Sequence, residues 1–291
     1  MTVASSGLLP RYWDQTDLDR QYSARGTVPD VEPFVAEYRR LTLLAQARIQ
    51  CRLHIAYGPT EPERLDVYPS ATPGPAPVFV FIHGGYWRAL DANDSGFMAE
   101  AMTSAGICVA VVNYTLAPTA DLDEIVRQCR AALVWIHAHI RDHGGDPTRI
   151  HIGGSSAGAH LAAMLGAQGW TRSAGLPEDT VKGLTLLSGL YDLAMIPRTH
   201  VNGWMRMDDA AALRNSPLWF LPRAGTRIVG SYAPSETDEF KRQSEVYFAA
   251  CHASGCKMQL VPVPGTNHFD IPLTLADAAT PLSAAVRVAM A

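Results

Sequence analysis

The stretch Ile150-His151-Ile152-Gly153-Gly154-Ser155-Ser156-Ala157-Gly158-Ala159-His160 decides the fold of this chain. It starts as a short apolar run typical of a buried strand and continues into an Ala/Leu-rich helix. Between the two lies the spacing G-x-S-x-G, which puts a serine on a sharp strand-to-helix turn. Only Ser156 has glycine two residues before and after it, since a frame centred on Ser155 would end at Ala157. A Gly/Ser loop that only caps a helix can show the same residue spacing. The strand before this loop and the helix after it nevertheless predict that Ser156 is a nucleophile.

Length and composition bound the class of protein. With 291 residues and 47% hydrophobic content, the chain can bury one large core, so we expect a single domain over 1–291. A net charge of −4 and basic runs no longer than Arg39-Arg40 give little attraction to nucleic acid or to an anionic membrane. Residues 1–10 lack the pattern of a secretory signal, and no apolar run is long enough to span a bilayer.

Cysteine usage indicates a reducing compartment. The five cysteines are odd in number and show no C-x-x-C spacing, so we expect free thiols and a cytoplasmic protein. They are Cys51, Cys108, Cys129, Cys251 and Cys256.

Short apolar runs recur along the chain. Residues 52–57 and 64–68 alternate in polarity, as half-exposed antiparallel strands do. Later runs are apolar on both faces, which is typical of parallel strands covered by helices on each side. These runs are residues 78–82, 107–112, 150–152, 184–187, 227–229 and 258–261.

Helical periodicity fills the segments between the strands. Residues 123–143, 236–254 and 273–290 are predicted helices, and Gly144-Gly145 ends the first of them. The alternation of strands and helices predicts an α/β fold with a mostly parallel, twisted sheet, helices on both faces and right-handed crossovers.

Two aromatic segments are candidates for a small helical or aromatic cover over a pocket. Residues 1–45 are charged, aromatic and predicted to be helical, and residues 201–220 include Trp204 and Trp219. Helices that simply pack on the sheet are an equally good interpretation of both segments.

Acyl transfer by a serine needs a base and an acid that orients it. The base candidate is His268, which follows the last strand and so lies on a loop at the carboxyl edge of the sheet. The acid is expected after strand 227–229, where Glu236, Asp238 and Glu239 all occur. Position favours Glu236, the earliest of them, while Asp238 is a rival because aspartate is the commoner residue in this role. The order serine, acid, histidine is that of the α/β-hydrolases.

The donors for an oxyanion are expected from backbone N–H groups. Residues 81–88 leave the first long buried strand through Gly84 and Gly85, whose lack of a side chain lets the backbone turn into the site. Ala157, directly after the nucleophile, supplies a further N–H. His83 is expected to stabilise this loop rather than to transfer protons.

Several motifs together resemble the kynurenine formamidase (arylformamidase) branch of the α/β-hydrolases. They are His83-Gly84-Gly85-Tyr86-Trp87, residues 154–160, Glu236-Thr237-Asp238-Glu239-Phe240-Lys241-Arg242-Gln243-Ser244, Asn267-His268-Phe269 and Tyr22-Ser23-Ala24-Arg25. The resemblance covers nearly the whole chain. It places the triad acid at Glu236, a glutamate where the better-known members have aspartate.

The resemblance implies a serine hydrolase that acts on an acyl arylamide, such as N-formyl-kynurenine, through an acyl-enzyme. The expected partner is a small-molecule substrate, with no metal or organic cofactor, and a homodimer is left open. Tyr86, Trp87 and Phe269 are expected to line the substrate pocket, and Arg88 or Arg206 to meet a substrate carboxylate.

Two alternatives to a formamidase are open. One is a general carboxylesterase or an amide or carbamate hydrolase for small aromatic substrates, because fold and motifs do not fix the substrate. The other is a non-catalytic ligand-binding protein on a hydrolase scaffold. The ordered serine, acid and histidine disfavour this second alternative.

Overall fold

The computed structural model describes residues 14–291, so predictions for residues 1–13 lie outside the described residues. Within the described range the chain forms one sheet of eight strands. In chain order these are β1 (Arg52–Ala56), β2 (Arg64–Tyr68), β3 (Ala76–Ile82), β4 (Cys108–Val112), β5 (Gly145–Ser155), β6 (Val181–Leu187), β7 (Arg227–Ser231) and β8 (Lys257–Leu260).

The sheet is mostly parallel, as the sequence predicts. Its strand order is β1-β2-β4-β3-β5-β6-β7-β8. The pairs β1–β2 and β2–β4 are antiparallel, and all the others are parallel. The expectation of a half-exposed strand holds for β1 but is wrong for β2, which lies between β1 and β4 and is buried over most of its length.

Helices cover both faces of the sheet. They are α1 (Gln15–Gln21), α2 (Glu32–Arg48), α3 (Ala99–Ser104), α4 (Leu122–His139), α5 (Ala157–Gly166), α6 (Trp170–Ser173), α7 (Asn202–Met205), α8 (Asp209–Arg214), α9 (Asp238–Ala253) and α10 (Pro281–Met290).

The core lies in two layers, one on each face of the sheet. Alternate side chains of β3 point to opposite faces, as the pleat requires. Val80 joins a cluster that includes Leu133 of α4, whereas Phe79 and Phe81 join a second cluster with Val286 of α10. The apolar runs of the sequence therefore mark strands that are buried on both sides, which confirms the predicted α/β class.

The predicted helix over residues 273–290 is divided in two. A 3₁₀ turn covers Ile271–Ala276, and α10 begins only at Pro281. The Thr280 hydroxyl accepts a hydrogen bond from the Ser283 N–H at 3.2 Å, so it caps α10, and proline is well suited to the first helical position.

Parallel strands bring the loops that follow them to one edge of the sheet. The loops after β3, β5, β7 and β8 carry, in that order, the Gly-Gly turn, the serine elbow, the candidate acid and the candidate base. No helix within residues 14–291 is long and apolar enough to cross a membrane.

Candidate active site

The turn from β5 to α5 holds Ser156 in a backbone conformation that side chains rarely adopt, with φ 57° and ψ −121°. Its N–H donates to the Leu187 carbonyl of β6 at 2.8 Å, which fixes the turn against the neighbouring strand. The flanking glycines are required by space. A Cβ on Gly154 would lie 2.3 Å from the Gly158 backbone, and one on Gly158 would lie 2.0 Å from the Ile82 carbonyl oxygen. The G-x-S-x-G spacing therefore follows from close backbone approach on both sides of the serine.

His268 and Glu236 form a buried pair. The His268 Nδ1 lies 3.0 Å from the Glu236 Oε1, and the two side chains are only 4% and 1% exposed. Because a carboxylate can only accept, Nδ1 carries the proton in this pair and Nε2 is left as the basic nitrogen. The rings of Phe240 and Phe269 contact the imidazole edge-on, with centroids 4.8 and 5.2 Å away. The pair is thus shielded from water and fixed in one tautomer.

The loop that carries the imidazole is fixed by its neighbours. The Asn267 side-chain oxygen accepts from the N–H groups of Phe269 and Asp270, at 2.8 and 3.2 Å. The Asn267 amide nitrogen in turn donates to the Asp270 carboxylate at 2.8 Å. These bonds close the loop on itself and limit how far the histidine between them can move.

Asp238, the rival acid, lies away from the histidine. Its side chain is 86% exposed and pairs with Lys241 at 2.9 Å. Thr237 caps the start of α9 and separates the two acids, so that Asp238 begins the helix while Glu236 precedes it. A carboxylate in the first turn of a helix is stabilised by the helix dipole, which accounts for Asp238 without a catalytic role.

The Gly-Gly turn after β3 lies against the serine elbow. A Cβ on Gly84 would come within 2.7 Å of the Ser155 carbonyl oxygen, and Gly85 has a φ of +91°. Both glycines line the same cavity as Ser156. Among residues 14–291, no hydrogen-bond partner occupies the N–H groups of Gly84, Gly85 or Ala157.

Two other buried histidines near the elbow, His83 and His160, have no carboxylate partner among residues 14–291. The His83 Nδ1–H donates to the Gly84 carbonyl at 3.0 Å, and its ring stacks on Tyr114 with centroids 4.1 Å apart. The His160 Nε2–H donates to the Asn215 carbonyl at 2.7 Å. Burial lowers the pKa of each of these imidazoles to about 4. Both are therefore neutral side chains that stabilise the loops around the site.

A cavity of about 390 Å³ opens onto the elbow and the buried pair, and both Ser156 and His268 line it. Among the described residues, six aromatic side chains also line it. The aromatic lining residues are Tyr38, Phe81, Tyr86, Phe97, Trp204 and Phe269.

The predicted pocket residues separate into two groups. Tyr86 and Phe269 line the cavity. The prediction for Trp87 is wrong, because its side chain is fully buried in the core and packs edge-on against His160, with ring centroids 5.1 Å apart. Tyr86 and Trp87 both have positive φ, 51° and 59°, and the chain reversal at this point sends the indole inward.

Of the residues predicted to cover the pocket or to bind a substrate carboxylate, one of each kind lines the cavity and one does not. Trp204 and Arg88 line the cavity, and the Arg88 guanidinium carbon lies 3.9 Å from the centre of the indole ring. Trp219 and Arg206 are exposed and do not line it.

Sequence reasoning did not find the contacts that join the N-terminal segment to α9. We call them the N-terminal clasp, which consists of Gln21, Tyr22, Thr237, Glu239 and Gln243. The Tyr22 hydroxyl donates to the Glu239 carboxylate at 2.9 Å, and the Thr237 hydroxyl donates to the Gln21 carbonyl at 2.6 Å. The Glu239 N–H donates to the Gln21 side-chain oxygen at 3.1 Å. The Gln243 side-chain amide donates to the Glu239 carboxylate at 2.9 Å and completes the network. The N-terminal residues of the clasp and those at the start of α9 both belong to motifs that are recognisable in the sequence, but nothing in the sequence shows that the two motifs are in contact.

The N-terminal segment also contributes lining residues to the cavity, among them Ala24, Arg25, Val31 and Tyr38. A second feature that the sequence did not indicate is the buried carboxylate of Asp94, which lines the cavity and pairs with Arg39 at 2.8 Å. Burial raises the pKa of Asp94, while the Arg39 guanidinium acts in the opposite direction.

Within the described part of the chain, no cluster of three or more His, Cys, Asp or Glu side chains could hold a metal ion.

Comparisons with known proteins agree with this architecture. The BD-FAE family model matches residues 65–186. A crystal structure of a candidate thioesterase from Silicibacter sp. TM1040 superposes with a TM-score of 0.78 at 27% sequence identity, covering 92% of this chain and 97% of that one. Strand order, elbow and structural neighbour together define an α/β-hydrolase.

Two curated relatives identify the branch. Kynurenine formamidase of Salmo salar is 36% identical over 280 residues, which are 91% of this chain and 92% of the salmon protein. Kynurenine formamidase of Danio rerio is 36% identical over 267 residues, 88% of each chain. The chain belongs to the kynurenine formamidase family, as its motifs predict, and it is a hydrolase.

Proposed function

We propose that this protein hydrolyses N-formyl arylamides such as N-formyl-kynurenine, through a formyl-enzyme on Ser156. The observation that carries the proposal is the buried His268–Glu236 pair at 3.0 Å beside a cavity that the imidazole and Ser156 both line. The aromatic side chains of the cavity suit an aryl leaving group. The formamide as the scissile group is inferred from the similarity to kynurenine formamidases over most of this chain.

In the first half of the reaction the Ser156 Oγ attacks the formyl carbon while the His268 Nε2 takes its proton. Glu236 accepts the hydrogen bond from Nδ1–H and stabilises the imidazolium that forms. The negative charge that develops on the formyl oxygen is bound by the N–H groups of Gly84, Gly85 and Ala157. Because these donors have no other partner in the described chain, they need not break a bond to meet the oxyanion.

The C–N bond then breaks, the arylamine leaves with the proton from the imidazolium, and the formyl ester of Ser156 remains. Water then attacks the formyl ester while the His268 Nε2 takes its proton, and formate is released as the imidazolium returns that proton to the Ser156 Oγ. The proton transfer to the amine is important because the neutral arylamine leaves readily, whereas the arylamide anion is a poor leaving group.

Glu236 rather than Asp238 is assigned as the orienting acid. It contacts the imidazole, whereas Asp238 is 86% exposed and bound to Lys241. Removing either partner of the His268–Glu236 pair would leave the other buried without its hydrogen bond, at a cost of about 1–3 kcal/mol, so the contact also helps to hold the loop geometry of the site.

An ester or thioester substrate is the second candidate. The Silicibacter candidate thioesterase shares the fold and 27% of its aligned sequence, and an acyl-enzyme mechanism serves esters equally well.

A reducing compartment such as the cytoplasm is part of the proposal. All five cysteines are free thiols, and burial raises the pKa of Cys108 and Cys251 to about 12, so that these thiols resist oxidation.

The experiment that tests the proposal measures kcat/KM for N-formyl-kynurenine beside p-nitrophenyl acetate and a short-chain acyl thioester, with Ser156→Ala as the blank. We expect a value of about 10⁴ M⁻¹s⁻¹ or more for the formamide. Fast cleavage of either ester with negligible turnover of the formamide would assign the protein to the second candidate function.

A further inference from the structure

The charges that line the cavity are not all neutralised within the protein. Asp94 is committed to Arg39 at 2.8 Å, and Arg25 pairs with Glu32 at 3.3 Å. Arg88 also lines the cavity, but no carboxylate of the described residues lies within salt-bridge distance of it. Its guanidinium is therefore a positive charge without an internal counter-charge at the mouth of a largely apolar site.

Arg88 is held in place although its side chain is exposed. Its guanidinium carbon lies 3.9 Å from the centre of the Trp204 ring. The indole is itself fixed, because its N–H donates to the Tyr86 carbonyl at 3.1 Å and His200 contacts its ring edge-on at 5.8 Å. A guanidinium stacked on an indole gains cation–π energy and keeps its N–H edge free for a planar, two-oxygen acceptor.

The position of Arg88 along the chain sets its distance from the chemistry. The Arg88 N–H donates to the Gly85 carbonyl at 3.0 Å, so the residue is anchored to the turn that carries the proposed oxyanion donors. A carboxylate that its guanidinium binds would belong to the leaving arylamine, because a formyl group consists of one carbon and carries no charged substituent.

We propose that Arg88, held on Trp204, is the residue that binds a carboxylate on the leaving group and so sets the preference for charged over neutral leaving groups. This inference rests on the proposed function, since it assigns the carboxylate to the amine side of a formamide. It makes Arg88 a specificity-determining residue, whereas Ser156, His268 and Glu236 act on any acyl compound that fits.

The test compares N-formyl-kynurenine with its carboxamide, in which the carboxylate is replaced by a neutral amide of similar shape. A charge-assisted, bidentate hydrogen bond predicts that the wild type prefers the acid by about 10- to 100-fold in kcat/KM, mainly through KM. Arg88→Gln should reduce this acid-to-amide ratio to near one. Arg88→Lys keeps the charge but loses the planar fork, so its ratio should be intermediate.

Arg206→Gln is the matched control, because Arg206 is an exposed arginine that does not line the cavity. It should leave the acid-to-amide ratio at the wild-type value. A wild type that cleaves acid and amide equally well, or an Arg88→Gln variant that keeps the wild-type ratio, would overturn the proposal.

A second pair of substrates separates failure of this proposal from failure of the proposed function. Aryl acetates that release 4-hydroxybenzoate or 4-hydroxybenzamide differ only in the charge of the leaving group. If no formamide is cleaved but the acetates are, the formamidase function is wrong. An Arg88-dependent preference for the charged acetate then still supports the subsite, and its absence refutes it.

Discussion

The serine elbow and the N-terminal segment line the same cavity, but contacts of very different range hold them in place. At the elbow, Gly154, Ser156 and Gly158 lie within five residues, and the backbone itself excludes other side chains at both glycines. The N-terminal segment is held by the clasp, in which Tyr22 bonds to Glu239 across 217 positions of the sequence. The elbow is therefore part of a rigid sheet edge, whereas the rest of the cavity depends on side-chain hydrogen bonds that a single substitution can remove.

The comparison implies that the sheet edge and the rest of the cavity control different kinetic parameters. Changes at the sheet edge should lower kcat for every substrate, while changes in the clasp or in the other lining residues should alter KM and substrate choice. The first predictions below test that expectation, beginning with the largest effect on activity.

Replacing Ser156, the proposed nucleophile, should have the largest effect. Ser156→Ala is expected to lower kcat/KM for formamide and ester alike by about 10⁴-fold or more, because it removes covalent catalysis but leaves binding intact. Ser155→Ala is the matched control in the same turn and should retain most of the activity. Comparable losses in the two variants would mean that the turn itself, and not one hydroxyl, is required.

Replacing Glu236, the proposed acid, should have the next largest effect. Glu236→Gln keeps the shape of the side chain but lets it donate as well as accept, so the imidazole loses its fixed tautomer and the stabilisation of its charged form. We expect kcat to fall by about 10³- to 10⁴-fold. Asp238→Asn should stay near the wild-type rate, since that carboxylate is exposed and paired with Lys241. The reverse order of effects would assign the acid to Asp238.

Loosening the clasp should have a smaller and different effect. Tyr22→Phe removes the hydroxyl that donates to Glu239 and should lower the free energy of unfolding by about 1 kcal/mol. Because the Ser156–His268–Glu236 edge is untouched, KM for the aryl formamide should rise several-fold while kcat changes little. Urea denaturation and steady-state kinetics on one preparation measure both quantities.

Tyr57→Phe is the control for the clasp. The Tyr57 hydroxyl donates to the Asn113 carbonyl at 2.6 Å and does not line the cavity, so its loss should cost similar stability with no change in KM. Equal changes in KM for the two variants would remove the distinction between the clasp and the general core.

The last prediction concerns stability alone, with no expected change in activity, and a buried histidine of β5. Burial, together with nearby Arg227 and Arg149, lowers the pKa of His151 in β5 to about 4. The unfolded chain then binds more protons than the folded one between about pH 6.5 and pH 4, so this imidazole destabilises the fold as pH falls through that window. The loss is about 2 kcal/mol at most between pH 7 and pH 5.

His151→Gln should flatten this pH dependence. The measurement is the difference in unfolding free energy between pH 7 and pH 5 for the variant and the wild type. An unchanged difference would show that the His151 imidazole titrates with an ordinary pKa in the folded protein.

The comparison also explains what the sequence could and could not predict. The apolar runs gave the strands because both faces of the parallel sheet are buried, and the elbow spacing reports close backbone contact, which is a local property. The sequence left Glu236 and Asp238 as rivals because they are two residues apart. The helix start at Thr237 separates them only in three dimensions, where one faces the imidazole and the other faces solvent.

The predictions from sequence are wrong or incomplete where the backbone reverses and where distant segments meet. Trp87 was expected in the pocket, but the positive φ at Tyr86 and Trp87 turns the indole into the core. The clasp and the Asp94–Arg39 pair join residues far apart in the chain, so no local pattern could report them. We expect substrate choice to depend on these long-range contacts, so the sequence indicates the chemistry more directly than the specificity.

The most direct test of the account is the site of covalent labelling by a fluorophosphonate, located by peptide mass spectrometry and repeated on Glu236→Gln. We predict stoichiometric labelling of the wild type on Ser156, and much slower labelling of Glu236→Gln, because the hydroxyl is activated through the buried His268–Glu236 pair. Labelling of Ser155, no labelling at all, or an unchanged rate in Glu236→Gln would contradict the proposed catalytic edge.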